Sequence, residues 1–180
     1  MIKSFYLNNI VYYIAGTAAM LYLMSYFFPR IFPAGGLVLI CLAAAVLVDS
    51  LLLYTRNGLK AERILTDRFS IGDANKVELQ LENRYVFPVS VSVIDELPFQ
   101  FQSRDWMRRV RIPGHSKHLI RYDLTPFTRG EYVFGSVNMF AHGPLRLVKH
   151  HYWIPQRQVV KVYPSYVQMR RYQLLAVNNR

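Results

Sequence analysis

A chain of 180 residues, 52% hydrophobic and only 18% charged, has room for one ordinary domain and a small addition, not two full domains. Its charge content is low for a globule solvated on all sides, and a single cysteine, Cys41, excludes an intramolecular disulfide framework. A net charge of +11 asks for an anionic counterpart, whether lipid, protein or nucleic acid.

The apolar residues are gathered near the N-terminus. No charge occurs between Lys3 and Arg30, and the next acid or base after Ile31 is Asp49. The first run, Ile10 to Phe28, would extend roughly 28 Å as a helix, close to the hydrocarbon thickness of a bilayer. Gly16, Thr17, Ala18 and Ala19 form a small-residue patch suited to close helix packing. Tyr12, Tyr13, Tyr26, Phe27 and Phe28 lie toward its ends, where aromatic belts sit. The second run, Ala34 to Tyr54, is opened by Pro33, which loses no needed hydrogen bond in a first turn. Asp49 is its one charge; near the interface it would reach headgroups or Arg56. The first run lacks a small-x-small cleavage site and is followed at once by the second, so both read as retained spans joined by a tight turn. Lys3 precedes the pair, Arg30 alone occupies the turn, and Arg56, Lys60 and Arg63 follow. This bias places both ends and the polar domain in the cytoplasm.

From Leu59 the period changes to two. Val77, Leu79 and Leu81 alternate with polar neighbours, as do Val89, Val91 and Val93, and Ile120, Tyr122 and Leu124. Tyr132 to Phe140 is aromatic and β-branched, and Val159 to Tyr163 is a further short run. Gly72, Asn83, Pro98, Pro113-Gly114, Pro126, Gly130, Gly143-Pro144 and Pro155 break the segments. Short strands between regular turn signals predict an antiparallel, immunoglobulin-like β-sandwich of about seven strands, without the cysteine-tryptophan-cysteine signature. The predicted organisation is a helical hairpin over 1–56, a sandwich over 57–164, and a basic tail over 165–180.

The charge is uneven. Through Tyr54 the chain holds only Lys3, Arg30 and Asp49. After Glu131 there is no acid, whereas Arg146, Lys149, Arg157, Lys161, Arg170, Arg171 and Arg180 all follow. A domain tethered beside an anionic leaflet gains about 1 kcal/mol per base that reaches the surface, so membrane lipid is the first partner to expect and an acidic protein surface the second. Nucleic acid ranks last, because no nucleic-acid-binding motif accompanies the charge. The densest cluster is Arg104, Arg108, Arg109 and Arg111 around Trp106. It reads either as a headgroup or partner patch or, preferably, as a charged edge strand that resists pairing with another sheet.

No constellation points to catalysis, a cofactor or a metal. His150 and His151 are adjacent and would face opposite sides of a strand, so they cannot share one metal. Asp95-Glu96 before Pro98 reads as a strand-ending turn. There is no nucleophile elbow and no phosphate-binding glycine loop. The chain is therefore expected not to be an enzyme.

Two spans, then RILTDRFSIGDANKVELQLENRYVFPVSVSVIDELP, YDLTPFTRGEYVFGSVNMF and VVKVYP, resemble in their order the bacterial domain-of-unknown-function 58 family. Asn83, Asp95 and Pro98 fall in the first block. Pro126, Arg129, Gly130, Tyr132 and Gly135 match a P-x-x-RG-x-Y-x-x-G block, and Val162, Tyr163 and Pro164 match a V-Y-P strand. The resemblance implies the membrane-anchored N-terminal half of a protein that continues into a von Willebrand factor A-like domain and works with a MoxR-type AAA ATPase at the inner membrane. It implies an interaction or scaffold role. The rival is an envelope- or carbohydrate-binding module facing the periplasm. One departure is AHGPLRL, 141–147, where the family carries an aspartate that caps the turn. Within the RG block, Gly130 is expected to take a positive φ, and Arg129 to anchor the sandwich through a carboxylate or strand-end carbonyls.

Overall fold

The computed structural model describes residues 5–54, 58–103 and 106–164. A short strand, β1 (Phe5–Leu7), precedes helix α1 (Asn9–Ser25); a single 3-10 turn, Pro29–Ile31, leads into helix α2 (Phe32–Tyr54). The first helix stops at Ser25, three residues before the end of the apolar run. Pro29 disfavours helical backbone at the residue before it, and Phe28 is accordingly extended at φ −129°, ψ 85°. Pro33 sits in the first turn of α2, where its missing N–H costs nothing. The helices pack antiparallel, with the Tyr22 ring edge-on to Phe32 and against Gly35. Both are apolar around most of their circumference, and Tyr13, Leu23, Leu37 and Ile40 are largely exposed. The segment Pro29–Tyr54 is long and apolar enough to cross a membrane; α1 is apolar but shorter.

The remaining strands are β2 (Leu59–Ile64), β3 (Arg68–Ser70), β4 (Asn75–Asn83), β5 (Val89–Asp95), β6 (Met107–Ile112), β7 (Ser116–Leu124), β8 (Gly130–Phe134), β9 (Val137–His142), β10 (Val148–Ile154) and β11 (Gln158–Tyr163). They form one five-stranded sheet, β1-β10-β9-β5-β6, and two three-stranded sheets, β3-β11-β8 and β2-β4-β7. All pairings are antiparallel except β3 with β11. The inner faces meet in one core, to which β4 gives Val77, Leu79 and Leu81, β5 gives Val89, Val91 and Val93, and β9 gives Val137, Met139 and Ala141. Strand periodicity put these residues on a common face, and burial against the opposite sheet is what holds them there.

The domain after residue 57 is thus a β-sandwich, with ten strands among the described residues instead of seven. Two differences contribute to the count. The apolar stretch from Tyr132 to Phe140 is not one strand. It breaks at Gly135-Ser136, and the chain leaves the β8 sheet to enter the five-stranded sheet as β9. The segments now seen as β2 and β10 carry charged or histidine residues that obscured their alternation. Residues 5–7, counted with the hairpin, form a strand paired to β10 through Phe5↔His150, Tyr6↔Lys149 and Leu7↔Val148. The tail 165–180 lies outside the described residues.

Candidate functional site

Three constellations stand out: a buried polar staple, a junction between helices and sandwich, and a basic sheet face.

The staple is built on Arg63. In β2, Leu59, Ala61 and Arg63 share the inward face, so strand parity carries a guanidinium into the core, where it is 2% exposed. Asp95 ends β5 on the same inward face as Val89, Val91 and Val93. The two form an ion pair with both side chains fully buried. Arg63 Nε donates to Asp95 Oδ2 at 3.1 Å, Nη2 donates to Asp95 Oδ1, and the Tyr122 hydroxyl donates to Asp95 Oδ2. Burial, then the Asp95 charge, push the Tyr122 phenol far above its ordinary value, so it stays a donor. The remaining guanidinium donors reach the carbonyls of Gly135 (3.1–3.2 Å) and Gln156 (2.9 Å). Those carbonyls mark the two places where the chain passes between the β8–β11 sheet and the five-stranded sheet. One arginine therefore fixes both crossings, and it is Arg63. Arg129, expected to be the anchor, is exposed. Among the bases that follow the second span, Arg63 is therefore no interfacial charge, because it is buried.

The other residues expected to matter are turn braces. Asn83 is 1% exposed and fully used: its Nδ2 donates to the carbonyls of Phe87, Ile112 and Pro113, and its Oδ1 accepts from Tyr85 N–H. Pro98 is buried and leads into a 3-10 turn, Phe99–Phe101. Buried Pro126 lends its carbonyl to Gly72 N–H at 2.9 Å. Gly130 has φ +139°, the positive value expected. Tyr132 is 1% exposed, and its hydroxyl donates back to the Thr128 carbonyl at 3.0 Å. This is the tyrosine corner of immunoglobulin-like sandwiches. Glu96, next to Asp95 but outward-facing, accepts from Ser136 N–H (2.9 Å), Ser136 Oγ (2.7 Å) and Asn138 Nδ2 (2.8 Å). Partial burial alone would raise its pKa, but these hydrogen bonds hold it below the ordinary value. The Asp95-Glu96 pair is thus two structural carboxylates facing opposite ways.

The junction centres on Asp49, which is 0% exposed. Its carboxylate leaves α2 and accepts three backbone N–H groups from the turn between β9 and β10: Leu145 (3.1 Å), Leu147 (2.9 Å) and Val148 (3.0 Å). Successive amides turned toward one carboxylate make an anion-holding nest. Gly143 is required there, since a Cβ on it would lie 2.1 Å from Asp49 Oδ1. The turn between β9 and β10 is thus capped by an aspartate of the helix. Asp49 therefore faces the protein backbone of the sandwich; Arg56 lies outside the described residues. Around it, Asn8 N–H donates to the Leu147 carbonyl (2.8 Å) and Asn8 Nδ2 to the Arg146 carbonyl (2.6 Å). Tyr85 Oη donates to the Leu53 carbonyl at the end of α2 (2.5 Å), and the Tyr152 hydroxyl lies 2.5 Å from Tyr85 Oη. His150 stacks on Tyr54 at 4.1 Å, while His151 stacks on Phe140 across the sheet.

The basic cluster lies on β6, an edge strand of the five-stranded sheet, with Arg108, Arg109 and Arg111 exposed. Arg104 lies outside the described residues. Trp106 does not reach outward; its ring packs on Tyr122 at 4.3 Å, against the core. No group of three His, Cys, Asp or Glu side chains among the described residues is placed to hold a metal ion.

No family model matches the chain, and no curated protein matches it. Among solved structures it is similar to the CARDB domain of a Pyrococcus furiosus protein, crystallised in complex with di-metal ions (15% identity, 58% of this chain and 87% of that chain, TM-score 0.41). It is also similar to a PapD-like domain of human CEP192 (14% identity, 60% of this chain and 87% of that one, TM-score 0.44). A β-glucosidase from Listeria innocua matches over 60% of this chain but 16% of its own length (13% identity, TM-score 0.33). At these identities and scores the likeness decides nothing about this chain.

Proposed function

We propose that the protein is a membrane-anchored, non-catalytic interaction domain, with α1 and α2 inserted as a hairpin and the sandwich held against their foot in the cytoplasm. The observation that carries this reading is the junction. Two helices that expose apolar side chains around most of their surface end on a sandwich to which they are joined by Asp49, Asn8, Tyr85 and the β1–β10 pairing. An exposed apolar surface of that extent is stable in lipid, not in water. The rigid foot gives the sandwich a set orientation on the bilayer, which suits a scaffold. The resemblance to the domain-of-unknown-function 58 family supports a MoxR-type AAA ATPase as the protein partner and a following von Willebrand factor A-like domain as a neighbour; it rests on the motif order alone.

Single cysteines at Ala34 and at Asn75, in a Cys41→Ser background, test the topology in intact cells with an impermeant maleimide. Labelling at 34 and not at 75 is expected. Labelling at 75 alone would sink the cytoplasmic placement and favour the envelope-binding module.

A further inference from the structure

We propose that the outer face of the five-stranded sheet, at the foot of α1, is a binding site for the headgroup of an anionic phospholipid. This rests on the membrane-anchored reading and names the ligand class the anchored domain takes.

The sheet register assembles the site. One row of paired residues crosses all five strands: Tyr6, Lys149, His142, Ser90 and Arg111. The next row brings Phe140, Ser92 and Arg109 into line. Small serines on β5, the strand next to the edge, thus lie between long bases on β6 and a base and aromatics toward β1. A short floor between tall walls leaves an open hollow of about 940 Å³, bordered by Asn8 and Ile10 at the start of α1. That size suits a small-molecule ligand. Arg109, Arg111, Arg146 and Lys149 line it, and among the described residues no acid does.

A second observation reports the local field. His142, whose Nδ1 lies 3.3 Å from the Ser90 carbonyl, has its pKa lowered first by burial and then by Lys149, Arg146 and Arg109, despite that contact. Bases held close together without a carboxylate among them repel one another and favour an anion between them. The position selects the source of that anion. The hollow opens beside the first turn of α1, where headgroups of a bilayer crossed by the hairpin would lie. Tyr6 and Phe140, 6.4 Å apart between ring centres, offer an amphipathic wall of the kind found at that depth.

The test uses the full chain in nanodiscs of phosphatidylcholine doped with phosphatidylglycerol, with retained lipid counted by native mass spectrometry. Wild type should retain phosphatidylglycerol over phosphatidylcholine by at least about tenfold, as several bases acting together allow. Arg109→Gln/Arg111→Gln/Lys149→Gln should abolish that preference. Lys60→Gln/Lys76→Gln/Lys117→Gln, which removes equal charge from the β2-β4-β7 sheet, should keep it. Ser92→Leu, which keeps every base but fills the floor, should weaken retention and so separates the hollow from the charge. Equal retention of the two lipids by wild type, or equal loss in the two triple variants, overturns the proposal. Displacement of phosphatidylglycerol by millimolar inorganic phosphate also overturns it, in favour of a soluble anion. Alkaline carbonate extraction run in parallel separates the two readings. A wild-type chain that resists extraction but shows no lipid preference refutes the headgroup site alone. A chain that is extracted refutes the membrane anchor and the headgroup site together.

Discussion

Asp49→Leu tests the junction most directly. The substitution leaves the N–H groups of Leu147 and Val148 buried without an acceptor, and that of Leu145 partly so. A buried donor left unsatisfied costs about 1–3 kcal/mol, so the two fully buried amides predict a loss of about 2–6 kcal/mol. This is a large share of the 5–15 kcal/mol typical of a domain. For a chain of this size it corresponds to a fall in Tm on the order of 10 °C. Asp49→Asn keeps one acceptor oxygen and should lose about 1–2 kcal/mol. Asp49→Glu keeps the charge yet should still destabilise, because the backbone at Gly143 leaves no space for another methylene. Thermal unfolding of the full chain in detergent gives the ranking, and amide exchange at Leu147 and Val148 locates the effect. A carboxylate merely facing headgroups makes the opposite forecast: Asp49→Leu would ease insertion, since an acid in a span is costly, and leave the sandwich untouched. Unchanged melting together with unchanged exchange at Leu147 and Val148 would refute the reasoning.

Breaking the buried pair by Arg63→Leu or Asp95→Leu should each cost about 3–5 kcal/mol, with part of it recovered in the double variant, since a lone buried charge is the main penalty; single variants that melt like wild type would contradict this. Gly130→Val should lose about 1–3 kcal/mol through its positive φ, a Cβ meeting nothing within 4 Å there, while exposed Arg129→Ala should change melting by less than about 0.5 kcal/mol; the reverse order would restore Arg129 as the anchor. His142 and His150 both titrate below their ordinary 6.5, each chiefly through burial. The unfolded chain therefore binds more protons in that range, so their contribution is complete above pH 6.5 and declines as pH falls toward their lowered folded values. His150→Phe should flatten the decline, measured as Tm against pH. Glu96, held below 4.5, contributes above that value and is lost only further down, so the two windows are separable.

The layered β architecture was legible because alternation is a local signal, and β4, β5 and β7 alternate cleanly. The same alternation also marks buried charges. Parity in LKAERI places Arg63 beside Leu59 and Ala61 on the buried side, and parity in VSVSVID does the same for Asp95. A base and an acid each facing the core call for one another. Its place close after an apolar helix makes Arg63 look like a membrane-flanking charge instead. The cap by Asp49 had a weaker trace: a lone acid in an apolar helix, and a Gly143-Pro144 turn with no acid of its own, 96 to 99 residues away. Only tertiary structure brings those two facts together. The break at Gly135-Ser136 was hidden because both flanks are apolar, and a strand that changes sheets keeps its composition.

The acid-free C-terminal third illustrates what a fold does with a charge imbalance. Over the sequence the run looks like a uniformly basic sheath that must repel itself. In three dimensions it divides. Lys161 faces Glu131 on the neighbouring strand at 4.0 Å, an exposed pair worth little. Arg146 stands in the turn whose amides Asp49 already occupies, at φ +57°. Lys149 crosses β10 to meet His142 and, two strands further on, the bases of β6. The bases of β6 come from a different part of the chain, so the concentration of charge on one sheet face is a product of strand order. On the proposed membrane-anchored reading, the face beside the start of α1 is the one that would bring this charge nearest to anionic headgroups, and the hydrogen bonds of Asp49 and Asn8 are what hold the face against the helices.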